Sequence, residues 1–198
     1  MEKNTYQINE IVERRQLAPS LVLFKLYVPE IAQRVKAGQF VILRADDYAE
    51  RIPLTVADFD REQRFITVIF QEVGASTKKL GLFQQGEKIL DIVGPLGKPS
   101  HIENFGTVVC IGGGVGIAPV YPIAKALYEA GNHLISIIGA RTQEMLILEE
   151  EMKAICNEFF VTTDDGTYGR HGFVTDELKR LIEEENPEWR DLYEDVCA

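Results

Sequence analysis

The chain has 198 residues, enough for one large or two small domains, and its 45% hydrophobic content is ordinary for a soluble globular protein. A net charge of −10 argues against a nucleic-acid partner, because phosphate backbones need a basic surface. No apolar run approaches the roughly 20 residues of a membrane span, and the N-terminus MEKNTYQINEIVERR lacks the apolar core of a secretion signal. The expected location is therefore the cytoplasm, with no membrane partner.

From Tyr6 to Val93 the chain reads as short strands with turns between them. Leu21–Val28, Phe40–Leu43, Ile52–Val56, Phe65–Phe70 and Lys88–Val93 are rich in β-formers. Connected strands without long helices predict a small antiparallel β-barrel. Within it, Arg51-Ile52-Pro53-Leu54-Thr55 alternates, so an extended backbone sends Arg51, Pro53 and Thr55 to one side. A guanidinium fork suits a diphosphate, and a hydroxyl suits a ring nitrogen. The competing reading is an edge strand with a surface arginine. Further on, Gly74 turns the chain, and Ser76 and Thr77 stand at a helix start, where free N–H groups suit phosphate. Plain capping by Ser76 explains the same residues without a ligand.

Gly94-Pro95-Leu96-Gly97-Lys98-Pro99-Ser100 is the densest turn signal in the chain. It places a boundary between Gly97 and Asn104, with one domain over residues 1–100 and a second over 101–198.

The second domain opens on an apolar strand, Thr107–Ile111, then Gly112, Gly113, Gly114, Val115 and Gly116, then a helix over Ala118–Ala130 with Pro119 in its first turn. Strand, glycine turn and helix N-terminus together suit a diphosphate. The strict G-x-G-x-x-G pattern is not met, since Ile117 takes the place of the third glycine, and a tight turn that binds nothing remains the alternative. His133–Gly139 is a second strand, with Arg141 and Thr142 at its carboxyl end. Leu146–Ile155 reads as an amphipathic helix. Phe159–Thr162 is a third strand, followed by Asp164, Asp165 and Gly166. Phe173–Glu184 reads as a helix capped by Thr175, and Asp195–Ala198 as the start of a fourth strand. Strands alternating with helices predict a parallel sheet with its ligand at the carboxyl ends of the strands. Cys110, Cys156 and Cys197 lie far apart, no C-x-x-C pair exists, and the three histidines show no metal-ligand spacing, so no metal ligand is assigned.

A small barrel carrying R-x-P-L-T, followed by an α/β domain carrying G-G-G-V-G-I-A-P, resembles the ferredoxin–NADP reductase superfamily over nearly the whole chain. Within it, Thr163–Gly169 and Gly172–Thr175 are similar to two electron-transfer subunits. One is the small subunit of NADH-dependent reduced ferredoxin:NADP oxidoreductase, favoured by Arg51–Asp58; the other is the electron-transfer subunit of dihydroorotate dehydrogenase. The resemblance implies FAD and NAD(P)H as cofactors. It implies that Arg51 holds the flavin diphosphate, with Pro53 and Leu54 in the same motif. Thr55 then lies near flavin N5 as the candidate catalytic residue, and Gly74, Ser76 and Thr77 form a second phosphate segment. The nicotinamide cofactor falls to Gly112–Gly116, Pro119, Arg141, Thr142, Asp164, Asp165 and Gly166, with NADH slightly favoured. The implied partner is a second flavoprotein or iron–sulfur subunit, or a ferredoxin. Those relatives carry a cysteine-rich [2Fe–2S] segment that this chain lacks, so a cluster is expected only in a longer form, and the stop at Ala198 reads as truncation. A flavin-free nucleotide-binding module is the remaining alternative.

Overall fold

The computed structural model describes residues 6–185. The N-terminal half contains β1 (Glu10–Ala18), β2 (Leu21–Tyr27), α1 (Pro29–Arg34), β3 (Phe40–Arg44), β4 (Arg51–Asp60), β5 (Phe65–Gln71), α2 (Ala75–Gly81) and β6 (Asp91–Leu96). The strands form one antiparallel sheet in the order β1-β2-β5-β4-β3-β6. The lead into β6 returns to the first strand. Ile11 N–H donates to the Glu87 carbonyl at 2.9 Å, Gly86 N–H to the Ile11 carbonyl at 2.8 Å, and Ile89 N–H to the Asn9 carbonyl at 3.0 Å. These bonds bring the two edges of the sheet together as a small barrel. Its interior is filled by alternate residues of each strand, among them Phe24, Leu26, Val41, Leu43, Ile66 and Val68.

Two expectations shift. The last barrel strand starts at Asp91, not Lys88, because the residues before it cross from β1 to β3; Leu90 N–H reaches the Ala45 carbonyl at 3.1 Å. Gly94-Pro95-Leu96, read as a turn, completes that strand. Its register against β3 runs from Ile42↔Val93 to Phe40↔Leu96, leaving one extra residue on β6. Such a bulge accommodates a proline that cannot donate to the ladder. The connecting segment then begins at Gly97, whose carbonyl accepts from Gln39 Nε2 at 2.9 Å.

The C-terminal half contains β7 (Thr107–Gly113), α3 (Ile117–Glu129), β8 (His133–Ala140), α4 (Glu149–Lys153), β9 (Glu158–Thr163), β10 (Arg170–His171) and α5 (Val174–Arg180). The four strands are parallel, in the order β10-β9-β8-β7. Along β8, Leu134 and Ile138 face one side while Ile135 and Ile137 face the other, as expected for a parallel strand buried on both faces. The first side meets α3 through Ile117 and Ala118, and the same apolar cluster continues into Leu21, Leu23, Ala57 and Ile69 of the barrel. Ala57 points out of the barrel by alternation after Val56, and the β4–β5 register slip between Val56 and Asp58 then turns Phe59 back towards the barrel core. The ion pair of Lys125 with Asp58, at 3.1 Å, closes the edge of this contact. The second side of the sheet is covered by Val174, Leu178 and Leu181.

Two helices differ from expectation. Of Leu146–Ile155 only Glu149–Lys153 is helical, because Leu148 sits at φ 55°, in the left-handed region. Ile147 and Met152 are buried all the same. At the start of α5, Phe173 N–H donates to Asp176 Oδ2 at 2.8 Å, so Asp176 satisfies the helix end rather than Thr175. The Asp195–Ala198 strand lies outside the described residues. Among the described residues no helix is long and apolar enough to cross a membrane.

Candidate functional site

A cavity of about 320 Å³ opens at the carboxyl ends of β7, β8 and β9. The turn after β7 contributes Gly113, Gly114 and Val115, the end of β8 contributes Gly139, Ala140 and Arg141, and β9 with its loop contributes Thr162 and Asp164. Met145, Phe173 and Val174 line it further, and Leu21 and Gln71 of the barrel form the facing wall. The crevice therefore lies between the parallel sheet and the barrel.

The glycines of the turn divide their work. A Cβ on Gly112 would stand 2.9 Å from Ile117 Cα, so Gly112 is what lets α3 pack close against β7. Gly114 sits at φ +54°, a conformation that favours glycine. A Cβ on Gly113 or Gly116 would meet nothing within 4 Å, which leaves open space beside the backbone. No side chain caps the short 3₁₀ turn Gly114–Gly116 or the start of α3. Backbone N–H groups at that end, with the helix dipole behind them, suit a diphosphate. Ile117 is fully buried. It does not break the arrangement, because close packing of strand and helix is already supplied by Gly112. Pro119 stays in the first turn of α3, away from the cavity lining.

Arg141 is exposed and lines the crevice; Thr142 instead opens a 3₁₀ turn, its carbonyl accepting from Met145 N–H at 3.0 Å. Asp164 lines the crevice, whereas Asp165 turns into its own loop. Asp165 Oδ1 accepts from the Thr167 hydroxyl at 2.7 Å and from Thr167 N–H at 3.0 Å. These bonds, the hydroxyl's first, hold its carboxyl below the usual carboxylate range. The Thr163 hydroxyl bonds the Tyr168 backbone, and the Tyr168 hydroxyl donates to Glu149 Oε1 at 2.7 Å. Gly166 and Gly169 hold φ of +70° and +65°, and a Cβ on Gly169 would come within 2.3 Å of the Val161 carbonyl oxygen. The Thr163–Gly169 phrase is thus a locked loop, and Asp165 and Gly166 shape it rather than line the cavity.

On the barrel, β4 alternates as expected. Ile52 and Leu54 pack inward against the core, while Arg51 and Pro53 are exposed and Thr55 is half-buried. Leu54 therefore offers no side chain to a ligand on the outer face. Pairing across β4, β3 and β6 aligns three rows on that face: Arg51, Arg44 and Asp91; Pro53, Ile42 and Val93; Thr55, Phe40 and Leu96. A charged row borders an apolar platform. Helix α2 is tied beside the charged end, with the Ser76 hydroxyl donating to Glu50 and Lys79 Nζ 2.8 Å from Asp46. Thr77, not Ser76, satisfies the helix end: its Oγ1 accepts from Gly74 N–H at 3.1 Å and Val73 N–H at 3.2 Å. A Cβ on Gly74 would meet nothing within 4 Å. Two segments far apart in sequence thus meet at one edge of the platform, an arrangement that fits a ligand with a flat ring and a diphosphate.

Phe40, Ile42 and Val93 of the platform, and Gly139, Met145, Thr162, Phe173 and Gln71 of the crevice, were not singled out from sequence. Alternation in Phe40–Leu43 carries the signal for the first two. The crevice residues come from loops and strand ends that periodicity does not mark. Gly139 has a packing reason, since a Cβ there would fall 2.5 Å from Thr162 Oγ1 and 2.6 Å from Val174 Cγ1. Among the described residues no cluster of His, Cys, Asp and Glu is suited to a metal ion. Cys110 is buried, and desolvation pushes its thiol up to about 11.

The sequence pattern of the oxidoreductase NAD-binding domain family matches residues 110–193. The chain is 46% identical over 177 residues to a Thermotoga maritima protein described as a homologue of the dihydroorotate dehydrogenase B (NAD(+)) electron-transfer subunit, covering 89% of this chain and 62% of that protein. It is 32% identical to the dihydroorotate dehydrogenase B electron-transfer subunit of Fusobacterium nucleatum, covering 89% of this chain and 70% of the relative. A solved structure of NADH-dependent reduced ferredoxin–NADP oxidoreductase superposes with a TM-score of 0.86 at 44% identity, over 92% of this chain and 66% of that one. The chain thus spans a little under two thirds of the length of the most similar of these proteins, and both electron-transfer subunits suggested by its motifs have a counterpart among them. With its two-sheet architecture and these identities, the chain belongs to the family of dihydroorotate dehydrogenase B electron-transfer subunits, built on the ferredoxin reductase-like fold.

Proposed function

We propose that this chain binds FAD on the outer face of the barrel and NAD(P)H in the crevice, and passes electrons between them and a partner. The partner class is an iron–sulfur or flavoprotein subunit, or a ferredoxin. The observation that carries this reading is the shared wall: the cavity beside Gly113–Val115 is completed by Leu21 and Gln71 of the barrel. Residues 1–100 serve as the flavin domain and 101–198 as the nicotinamide domain.

When bound, the two cofactors supply hydride transfer and the release of electrons one at a time. The chain's own residues bind, orient and exclude water. Arg51, with Gly74, Ser76 and Thr77 at the same edge, receives the flavin diphosphate, and Ser76 exchanges its bond to Glu50 for one to phosphate. Pro53, Ile42 and Val93 would support the flat ring system, and the half-buried Thr55, on the same face, would offer its hydroxyl to a ring nitrogen. Gly113, Gly114, Val115 and Gly116 accept the nicotinamide diphosphate, while Gly112 and Pro119 hold the turn that presents them. Arg141 and Asp164 border the ribose. Thr142, Asp165 and Gly166 fix the loops around that border. No residue needs to act as a general acid or base.

Purified protein mixed with FAD and desalted tests the reading. About one equivalent of FAD per chain is expected to remain, with a flavin absorbance spectrum. Retention of none would leave the flavin-free nucleotide module. Co-purification then separates the two partner types, because a dihydroorotate-oxidising subunit and a ferredoxin are different proteins.

A further inference from the structure

We propose that Arg44 is a second anchor for the diphosphate, acting with Arg51 as a two-guanidinium clamp. This deepens the flavin reading above and rests on it for the identity of the natural ligand.

Arg44 ends β3, directly opposite Arg51 on one side and Asp91 on the other. Residues directly opposite share a face, and neighbouring strands lie about 4.8 Å apart, so like charges placed this way repel. Arg51 nevertheless reaches past Arg44 to Asp91, two strands away, and stops with 3.6 Å between Nη2 and Oδ2. That distance is beyond a hydrogen bond. Asp91 thus faces Arg51, while Arg44 makes no ion pair among the described residues, leaving the row one positive charge in excess. Arg44 is half-buried, and its Nε is shielded from water with no hydrogen-bond partner among the described residues. A buried donor without an acceptor is costly. With no hydrogen bond or ion pair of its own among the described residues, the Arg44 guanidinium leaves its charge to be met by an acceptor from outside the chain. Two guanidiniums in one row, with Ser76 of α2 bonded to Glu50 just before Arg51, match the several oxygens and two charges of a diphosphate.

The test measures binding by Arg44→Gln, Arg44→Lys and the parent chain, using FAD, riboflavin and inorganic pyrophosphate as probes, together with the melting temperature without ligand. Arg44→Gln is expected to weaken FAD about ten- to hundredfold, the range of one charge-assisted hydrogen bond. Pyrophosphate should weaken with it, riboflavin should not, and Arg44→Lys should fall between Gln and parent. Because the substitution removes a repulsion, the ligand-free melting temperature should hold or rise, whereas a structural arginine would lower it. Equal FAD affinity in Arg44→Gln and parent would overturn the clamp. So would equal losses for FAD and riboflavin, or a lowered ligand-free melting temperature. If the parent takes pyrophosphate in an Arg44-dependent way but no flavin, the flavin reading fails and the clamp stands. If it takes neither, both fail.

Discussion

The two faces proposed to hold cofactors are built from different materials. The glycine-turn end of the crevice is made from backbone: glycines that leave space and an uncapped helix start, beside a loop locked by its own hydrogen bonds. The outer face of the barrel is made from side chains, set in three rows by strand register. A backbone site is complete before its ligand arrives, and a single added methyl group can ruin it. A side-chain site tolerates substitution in its fold and loses binding in proportion to the group removed.

The largest expected effect lies in the glycine turn. Gly112→Ala puts a methyl group against Ile117 Cα and should cost about 1–3 kcal/mol of stability, as overpacking does. Gly113→Ala meets open space, so its melting temperature should stay near that of the parent while NADH affinity falls. Thermal melts with an NADH titration separate the two. Equal destabilisation by both substitutions would mean that the glycines have no division of roles.

Next comes Arg51. Loss of one charge-assisted bond in Arg51→Ala should weaken FAD by roughly one to two decades with little change in folding. Titration of flavin fluorescence checks it. Unchanged affinity would remove Arg51 from the site.

The pH response of the parallel-sheet half is a further handle. Glu177 is buried, which alone raises its pKa; the hydrogen bond from Arg180 and the charges of Arg180 and Arg170 outweigh burial and hold it below the usual value. A carboxyl lowered in the folded state binds fewer protons there than in the unfolded chain. Its contribution is therefore present above the unfolded value of about 4.3 and is lost as pH falls through the folded one. Glu177→Gln should show a shallower loss of stability below that pH than the parent. Parallel pH curves for the two proteins would contradict this.

The smallest effect concerns cofactor choice. Arg141 is exposed at the crevice edge, where a guanidinium can accommodate a 2′-phosphate. Arg141→Ala should raise the NADPH dissociation constant a few-fold more than that of NADH, measured by flavin reduction in stopped flow. A large NADPH advantage in the parent would overturn the slight preference for NADH.

How much was legible beforehand follows the same division. The β4 motif was read correctly because alternation is local: Arg51, Pro53 and Thr55 do share a face. The charged row needed the register of three strands, and Arg44 gives no sign in sequence that it lies between Arg51 and Asp91. The glycine turn was legible as a turn, but its division of roles depends on Ile117, known only from packing. The helix expected over Leu146–Ile155 is interrupted at Leu148, whose left-handed backbone has no signal in its residue type. Gly94-Pro95-Leu96 carries a turn signal in sequence, yet a bulge lets the strand keep its proline. Asp165 is expected at the site because it follows the carboxyl end of the third strand, but its carboxyl is committed to Thr167.

The central claim is that the barrel face and the crevice hold two cofactors close enough to exchange electrons. The direct measurement is an anaerobic titration of the FAD-loaded chain with NADH and, separately, NADPH, following flavin absorbance. The account predicts bleaching by about one equivalent of reduced nicotinamide per bound FAD, and its loss in Gly113→Ala while FAD stays bound. FAD that remains oxidised in the presence of both nicotinamides would contradict it.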